Sequence, residues 1–328
     1  MNSEPSARLL GDIGGTHARF AWQTRPGAPL TAAATYLCAE HASLPAAIKR
    51  YLADHAKPVP RSAGIGIANP VIGDHVQMTN HHWSFSIAAV RQTLGLQRLV
   101  VINDFTALAL ALPALARSEL HPIGGGNATA GAPMVVLGPG TGLGVSGLLP
   151  VAGGAAVPIS GEGGHVTLAP ADDREAAVIE HLRQRFGHAS AERALSGPGL
   201  VNLYQAACAL SGQSALALDA AQVIAGARSS NDPCCERALE LFFSFLGSVA
   251  GNLALTFGAR GGVFIGGGIA PRLIGEILRS PFRARFESKG RFENYLRGIP
   301  SFVIDAKTSP AFLGAACALD LRLDGPLD

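Results

Sequence analysis

Two short segments share one pattern, and it constrains this chain's fold more than any other feature. Residues 10–16 read Leu-Gly-Asp-Ile-Gly-Gly-Thr, and residues 137–142 read Leu-Gly-Pro-Gly-Thr-Gly. Each is an apolar strand, a Gly/Thr turn and the start of a second apolar strand. This weak internal repeat points to a duplicated architecture, one hairpin per domain, with a cleft between the halves. Glycine turns let backbone N–H groups approach a ligand without obstruction by Cβ, and several such groups together form a concave anion site. Thr16 and Thr141 add hydroxyl donors. Asp12 is unexpected there, because a carboxylate repels phosphate. It makes sense if it faces a magnesium ion directly or through water, since Mg²⁺ keeps much of its water shell. One such turn alone is a tight hairpin; two matched turns with Asp12 point to a nucleotide.

The remaining chain is consistent with a mixed α/β fold. Strands are expected at 8–13, 18–23 and 31–37, then a helix capped by Ser43, then strands at 63–68 and 99–102 and a helix at 105–115. No Asp, Glu, Lys or Arg occurs between Glu119 and Glu162, and that Gly/Pro-rich stretch predicts strands and turns, at 134–137 and 145–149. Helices are expected at 174–186, 198–210, 220–228 and 233–257. A strand at 263–265, a strand at 302–304 and a helix at 310–321 complete the pattern. Alternating helices and strands argue for a sheet covered by helices.

Composition excludes several functions. Hydrophobic residues make up 48% and charged residues 15%, which suits a packed core and not disorder. Net charge is +2 without a long Lys/Arg run, so no nucleic-acid partner is expected. The five cysteines are scattered without C-x-x-C pairs, which argues against a disulfide framework or zinc site. Cys234 and Cys235 follow Asp232-Pro233, a helix N-cap and first turn, and read as ordinary thiols. The N-terminus shows no signal pattern, and a cytoplasmic location is expected. Residues 241–259 carry no charge and contain Gly247-x-x-x-Gly251. Their interspersed Ser, Asn and Thr predict a buried helix lying close to a sheet, not a membrane span.

Two rival motifs are set aside. There is no G-x-x-x-x-G-K-[ST] loop. Gly142-Leu-Gly-Val-Ser-Gly147 matches G-x-G-x-x-G, but Leu148-Leu149-Pro150 cannot open the helix a dinucleotide site needs. Gly266, Gly267 and Gly268 form a turn between a strand and a helix, where a flat adenine ring could lie against backbone.

A polyol site is suggested by other residues. Asn103 and Asp104 end an apolar strand, where open α/β sheets place ligands, although Asp104 could equally cap the following helix. Glu162 and His165 lie in the turn Gly-Glu-Gly-Gly-His. Glu192 precedes a Gly/Pro turn and taken alone reads as a solvated helix-end charge. Carboxylates accept hydrogen bonds from hydroxyls, Asn both donates and accepts, and His can do either.

In full, the chain resembles the bacterial glucokinases of the hexokinase-like, actin-type ATPase superfamily. The matching blocks are GDIGGT (11–16), MTNHHWSFS (78–86), INDFTA (102–107), GPGTGLG (138–144), GEGGHV (161–166), SAERALSGPGLVNLY (190–204), GNLAL (251–255) and GGVFIGGGI (261–269). The resemblance implies two ribonuclease-H-like α/β domains with an interdomain cleft, the smaller formed by 1–114 plus 306–328 and the larger by 115–305. It implies that Asp104 is the general base for the sugar 6-hydroxyl. Asn103, Asp104, Glu162, His165 and Glu192 would bind the sugar. Gly11, Asp12, Ile13, Gly14, Gly15 and Thr16, with Gly138, Gly140, Thr141 and Gly142, would hold ATP phosphates. Magnesium would sit near Asp12, through water, and Gly266 to Gly268 would border the adenosine. The implied reaction gives glucose 6-phosphate and ADP, the first step of glycolysis, and a homodimer is the common assembly. His17 and Pro139 depart from the usual Asn and small residue. Two alternatives remain at this stage: a kinase for another hexose, or a catalytically weak glucose-sensing regulator.

Overall fold

The computed structural model describes residues 7–79, 81–151 and 156–321. Asn80, within the block at 78–86, and residues 322–328 of the expected small domain lie outside the described residues. By Cα proximity the chain divides into two compact units. One runs to Ala116 and takes in Val151–Ser160 and the chain from Ala306; the other holds Arg117–Pro150 and Gly161–Asp305.

The first unit opens with strands β1 (Arg8–Ile13), β2 (His17–Gln23) and β3 (Leu30–Leu37), then helix α1 (Leu44–Asp54) and strand β4 (Ser62–Ile67). A small hairpin of β5 (His75–Gln77) and β6 (Ser84–Ser86), helix α2 (Ile87–Leu94), strand β7 (Arg98–Asn103) and helix α3 (Asp104–Ala111) follow. The main sheet has the order β3-β2-β1-β4-β7, with β1 and β2 antiparallel and β1, β4 and β7 parallel. Ser43 accepts from the Ala46 N–H and caps α1, whose Leu44, Ile48, Tyr51 and Leu52 are buried, as the helical spacing predicts.

The second unit contains β8 (Leu120–Pro122), β9 (Met134–Pro139), β10 (Leu143–Pro150) and helices α4 (Asp173–Phe186), α5 (Gly197–Leu210), α6 (Ala220–Ser229) and α7 (Pro233–Phe257). Strand β11 (Ala156–Gly161), whose residues up to Ser160 are grouped with the first unit, lies between β10 and α4 in sequence and is one edge strand of the sheet that contains β10. Strand β12 (Gly262–Ile265), helices α8 (Ile274–Arg279), α9 (Phe282–Glu287) and α10 (Glu293–Arg297) and strand β13 (Ser301–Ile304) complete the unit. The sheet order is β11-β10-β9-β12-β13-β8. Its first five positions repeat the connectivity of the first sheet, a hairpin followed by two parallel strands, so the repeated Gly/Thr turn marks a repeated topology. The chain then returns to the first unit as α11 (Ala311–Asp320).

Glycines set the closest approaches. A Cβ on Gly314 of α11 would lie 1.7 Å from the Ala107 carbonyl oxygen of α3, and one on Gly64 of β4 would lie 2.5 Å from the Ala315 carbonyl oxygen. Helix α11 therefore seats directly on α3 and β4.

In α7 the expectation needs correction. A Cβ on Gly247 would meet the Phe282 carbonyl oxygen at 2.2 Å, and one on Gly251 the Phe286 carbonyl oxygen at 2.5 Å. These glycines admit the backbone of α9, not the sheet. By length and composition α7 could cross a bilayer, but 78% of its apolar window is buried among protein atoms, as in a core helix. Asp232 accepts from the Cys234 and Cys235 N–H groups as its N-cap, and burial pushes the Cys235 thiol up to about 12, which keeps it protonated at neutral pH.

Candidate active site

In the first unit the polar residues gather at the carboxyl ends of β1 and β7, with β4 between them. Asp12 pairs in register with Gly66 of β4, and Ile67 with Asn103 of β7. Gly66 presents no side chain there, and a Cβ would lie 3.1 Å from Ala107 Cβ and 3.6 Å from Asp104 Cα. The start of α3 thus reaches the end of the sheet. The cap of α3 is Asn103, whose Oδ1 accepts from the Phe105 and Thr106 N–H groups at 2.9 and 3.1 Å. Its Nδ2 donates to Asp104 Oδ1 at 3.0 Å. The helix-cap reading of Asp104 is therefore replaced: Asn103 caps, and Asp104 is the first helical residue.

Asp104 is an unusual carboxylic acid. Burial, followed by repulsion from Asp12, pushes its pKa up to about 7, against the opposing hydrogen bonds from backbone N–H groups and Asn103. Part of its surface stays accessible. A carboxyl group that changes charge near neutral pH, at a strand end and open to a ligand, is suited to accept a proton.

Asp12 is held from two sides. Its Oδ2 accepts from Arg19 Nη1 at 3.0 Å and from Ser309 Oγ at 2.7 Å. The hairpin register sets Asp12 opposite Arg19, so the seven-residue spacing around the turn carried this signal. Ser309 comes from just before α11, and nothing in the sequence links it to Asp12. The turn itself is closed by the Gly14 N–H donating to the His17 carbonyl at 2.8 Å. His17 performs that task with its backbone, so its departure from Asn leaves the turn intact. Gly11 and Ile13 are buried in β1, Gly14 and Gly15 are half-buried, and Thr16 is exposed.

The second unit brings together four segments that are far apart in sequence. The turn after β9 is closed by the Gly140 N–H donating to the Gly142 carbonyl at 2.8 Å. The Gly197 N–H, at the start of α5, donates to the Gly140 carbonyl at 2.8 Å. Gly267, at φ +77, passes so close that a Cβ would lie 2.4 Å from the Pro139 carbonyl oxygen. The Ile269 N–H donates to that same oxygen at 3.2 Å. The turns at 138–142 and 266–268 are thus neighbours, and Pro139 contributes its carbonyl, which proline retains. Gly138 and Gly266 are buried, whereas Thr141 and Gly268 face solvent.

Glu192 is not a solvated helix-end charge. Its Oε2 accepts from the Leu143 N–H at 2.8 Å, and a Cβ on Gly142 would lie 2.4 Å from that oxygen. Glu162 and His165 lie on the neighbouring segment, exposed, in a turn where the His165 N–H donates to the Glu162 carbonyl at 3.0 Å. That turn presses on β10: a Cβ on Gly164 would lie 2.1 Å from the Leu143 carbonyl oxygen. Leu143 is therefore the point where the segments of Glu192 and of Glu162 and His165 meet the glycine turn.

Among the described residues no group of three or more His, Cys, Asp or Glu is placed to hold a metal ion. A single carboxylate such as Asp12 would suit magnesium held through water and not directly, because Mg²⁺ keeps much of its water shell. The two hydrogen bonds of Asp12 both fall on Oδ2.

Residues 9–322 match the family model described as Glucokinase. A glucokinase of Aromatoleum aromaticum is 56% identical over 98% of this chain and 97% of its own length. One from Chromobacterium violaceum is 52% identical over 95% of this chain and 89% of its own. Among solved structures, a glucokinase from an Antarctic psychrotroph superposes with a TM-score of 0.89 at 37% identity, covering 96% of this chain and 99% of that one.

Proposed function

The chain belongs to the glucokinase family, and we propose that it transfers the γ-phosphate of ATP to the 6-hydroxyl of glucose with Asp104 as the base. The observation that carries this reading is Asp104 itself: the first residue of α3 and not its cap, partly accessible and raised to about 7. The Asp104 carboxylate takes the 6-hydroxyl proton as the sugar oxygen bonds to the γ-phosphorus. The bond from that phosphorus to the bridging oxygen breaks, and ADP leaves with the electron pair. Base assistance of this kind contributes roughly 10²–10⁴ in rate. Asn103, Asp104, Glu162, His165 and Glu192 take the sugar hydroxyls. The turns at 11–16 and 138–142 bind the phosphates through backbone N–H groups, and 266–268 borders the adenosine. Bound magnesium supplies charge neutralisation at the phosphates, with Asp12 holding its water.

These groups belong to two units, so the reading needs residues 1–114 with 306–328 and residues 115–305 to act as two domains that enclose both substrates in a cleft and exclude water. The family resemblance further supports a cytoplasmic homodimer, which sedimentation velocity and cell fractionation test.

The deciding experiment is a coupled ADP-release assay with glucose, mannose and fructose, run on the natural protein and on Asp104→Asn. The expected result is turnover highest with glucose, and an Asp104→Asn variant that folds and binds glucose but loses most of its kcat. Near-normal kcat in that variant removes Asp104 as the base. Tight glucose binding with no ADP released by the natural protein replaces the kinase with a sensor, and a higher kcat/KM for another sugar changes the substrate.

A further inference from the structure

The turn expected to hold phosphate and the carboxylate expected to hold sugar are tied together within the second unit. The side chain of Glu192 grips the turn at 138–142 on its far side, where Oε2 accepts from the Leu143 N–H at 2.8 Å. Its main chain grips the near side: Ser196 Oγ donates to the Glu192 carbonyl at 2.8 Å. The Gly197 N–H, next to Ser196, donates to the Gly140 carbonyl at 2.8 Å. Ser196 also caps α5 by accepting from the Gly199 N–H at 2.9 Å, which fixes this bracket to a 14-residue helix. The bracket closes because residue 142 is glycine; a Cβ there would lie 2.4 Å from Glu192 Oε2.

The geometry points to a second role for Glu192: it positions the phosphate turn and couples it to the sugar. This rests on the function proposed above. One carboxylate oxygen is engaged by the turn, and Oε1 is the one left for a sugar hydroxyl. A hydroxyl donating to Oε1 orients the carboxylate and so stabilises the Leu143 contact. A turn already ordered by nucleotide holds the carboxylate ready for the sugar. By linkage the effect is reciprocal, and each ligand raises the affinity for the other by the same factor.

Two substitutions separate this from a simple sugar contact. Glu192→Ala removes the acceptor from the Leu143 N–H. Glu192→Gln keeps a carbonyl oxygen that can accept from it, while placing an NH₂ toward the sugar. Titration calorimetry with the non-hydrolysable ATP analogue AMPPNP and magnesium, without sugar, is the readout. The expectation is AMPPNP affinity weakened about tenfold in Glu192→Ala, the scale of one lost hydrogen bond to a charged group, and restored in Glu192→Gln. Both variants should bind glucose weakly. Equal AMPPNP affinity in the natural protein and in Glu192→Ala overturns the inference. The reciprocal variant, Gly142→Ala, pushes the carboxylate aside from the turn; it should raise the glucose Kd, and an unchanged glucose Kd also overturns the inference. If Glu192→Ala does not fold by circular dichroism, Gly142→Ala and Glu192→Gln still decide. Sugar-free nucleotide binding is read independently of turnover, so failure of the proposed kinase reaction would be seen separately in the ADP-release assay.

Discussion

Asp104 gives up stability for chemistry, and pH exposes the exchange. Its pKa is 3.8 ordinarily and about 7 in the fold, so the folded state holds its proton more tightly. Below pH 3.8 both states are protonated and the group has no effect. Between 3.8 and about 7 the unfolded chain has released the proton while the fold has not, so stability falls as pH rises. Above about 7 the whole penalty is present. At ~1.4 kcal/mol per unit it is at most about 4 kcal/mol. Asp104→Asn should therefore be more stable than the natural protein at pH 8 and equal to it near pH 4 when urea melts are compared. Function has the opposite sign, because only the ionised form accepts a proton. The acid limb of kcat/KM for glucose should fall through about pH 7. Asp12→Asn removes the repulsion that helps raise Asp104, so it should move that limb to lower pH even though activity drops. A limb that does not move would assign the titration to another group.

At the scale of elements, local chemistry marked the ends well. Ser43 before α1 and Asp232-Pro233 before α7 were readable because short polar side chains satisfy the first N–H groups of a helix wherever that helix lies. The hairpin of β5 and β6, helix α2 and strands β8 and β11 were not legible. The three-residue strands show too few alternations, and β8 becomes a strand only because β13 supplies its hydrogen bonds. The contact of α11 with α3 is also tertiary. It depends on Gly314, where an added Cβ would lie 1.7 Å from the Ala107 carbonyl oxygen. Gly314→Ala should destabilise the protein by about 3 kcal/mol in urea, near the upper range for overpacking. It should also lower activity, because α11 is preceded by the Ser309 hydroxyl that holds Asp12. Retained stability with retained activity would show that the two helices can part without consequence.

Across the whole molecule, two hydrophobic cores coincide with the two units. Leu9, Phe20, Tyr51 and Trp83 belong to one, and Leu203, Phe242, Leu246 and Phe282 to the other. Both tryptophans, Trp22 and Trp83, are buried in the first core. Tryptophan fluorescence therefore reports on the first unit, whereas far-ultraviolet circular dichroism reports on both. Leu246→Ala removes a fully buried side chain from the second core, typically costing ~2–5 kcal/mol. It should lower the midpoint followed by circular dichroism and leave the fluorescence midpoint in place. Midpoints that move together would show that the units unfold as one. What the sequence by itself determined is local and periodic: a mixed α/β chain, a repeated strand–turn–strand, most helix starts, the glycine turns and the ordered blocks of the family. These follow from backbone permissiveness and side-chain spacing, which neighbours in the chain decide. Only the tertiary structure decided that Asn103, not Asp104, caps α3, that Ser309 joins Asp12, and that Glu192 grips the Leu143 N–H. The last two depend on hydrogen bonds between residues far apart along the chain, which no local pattern carries; the first depends on which of two adjacent side chains takes the Phe105 and Thr106 N–H groups, and both are residue types that cap helices.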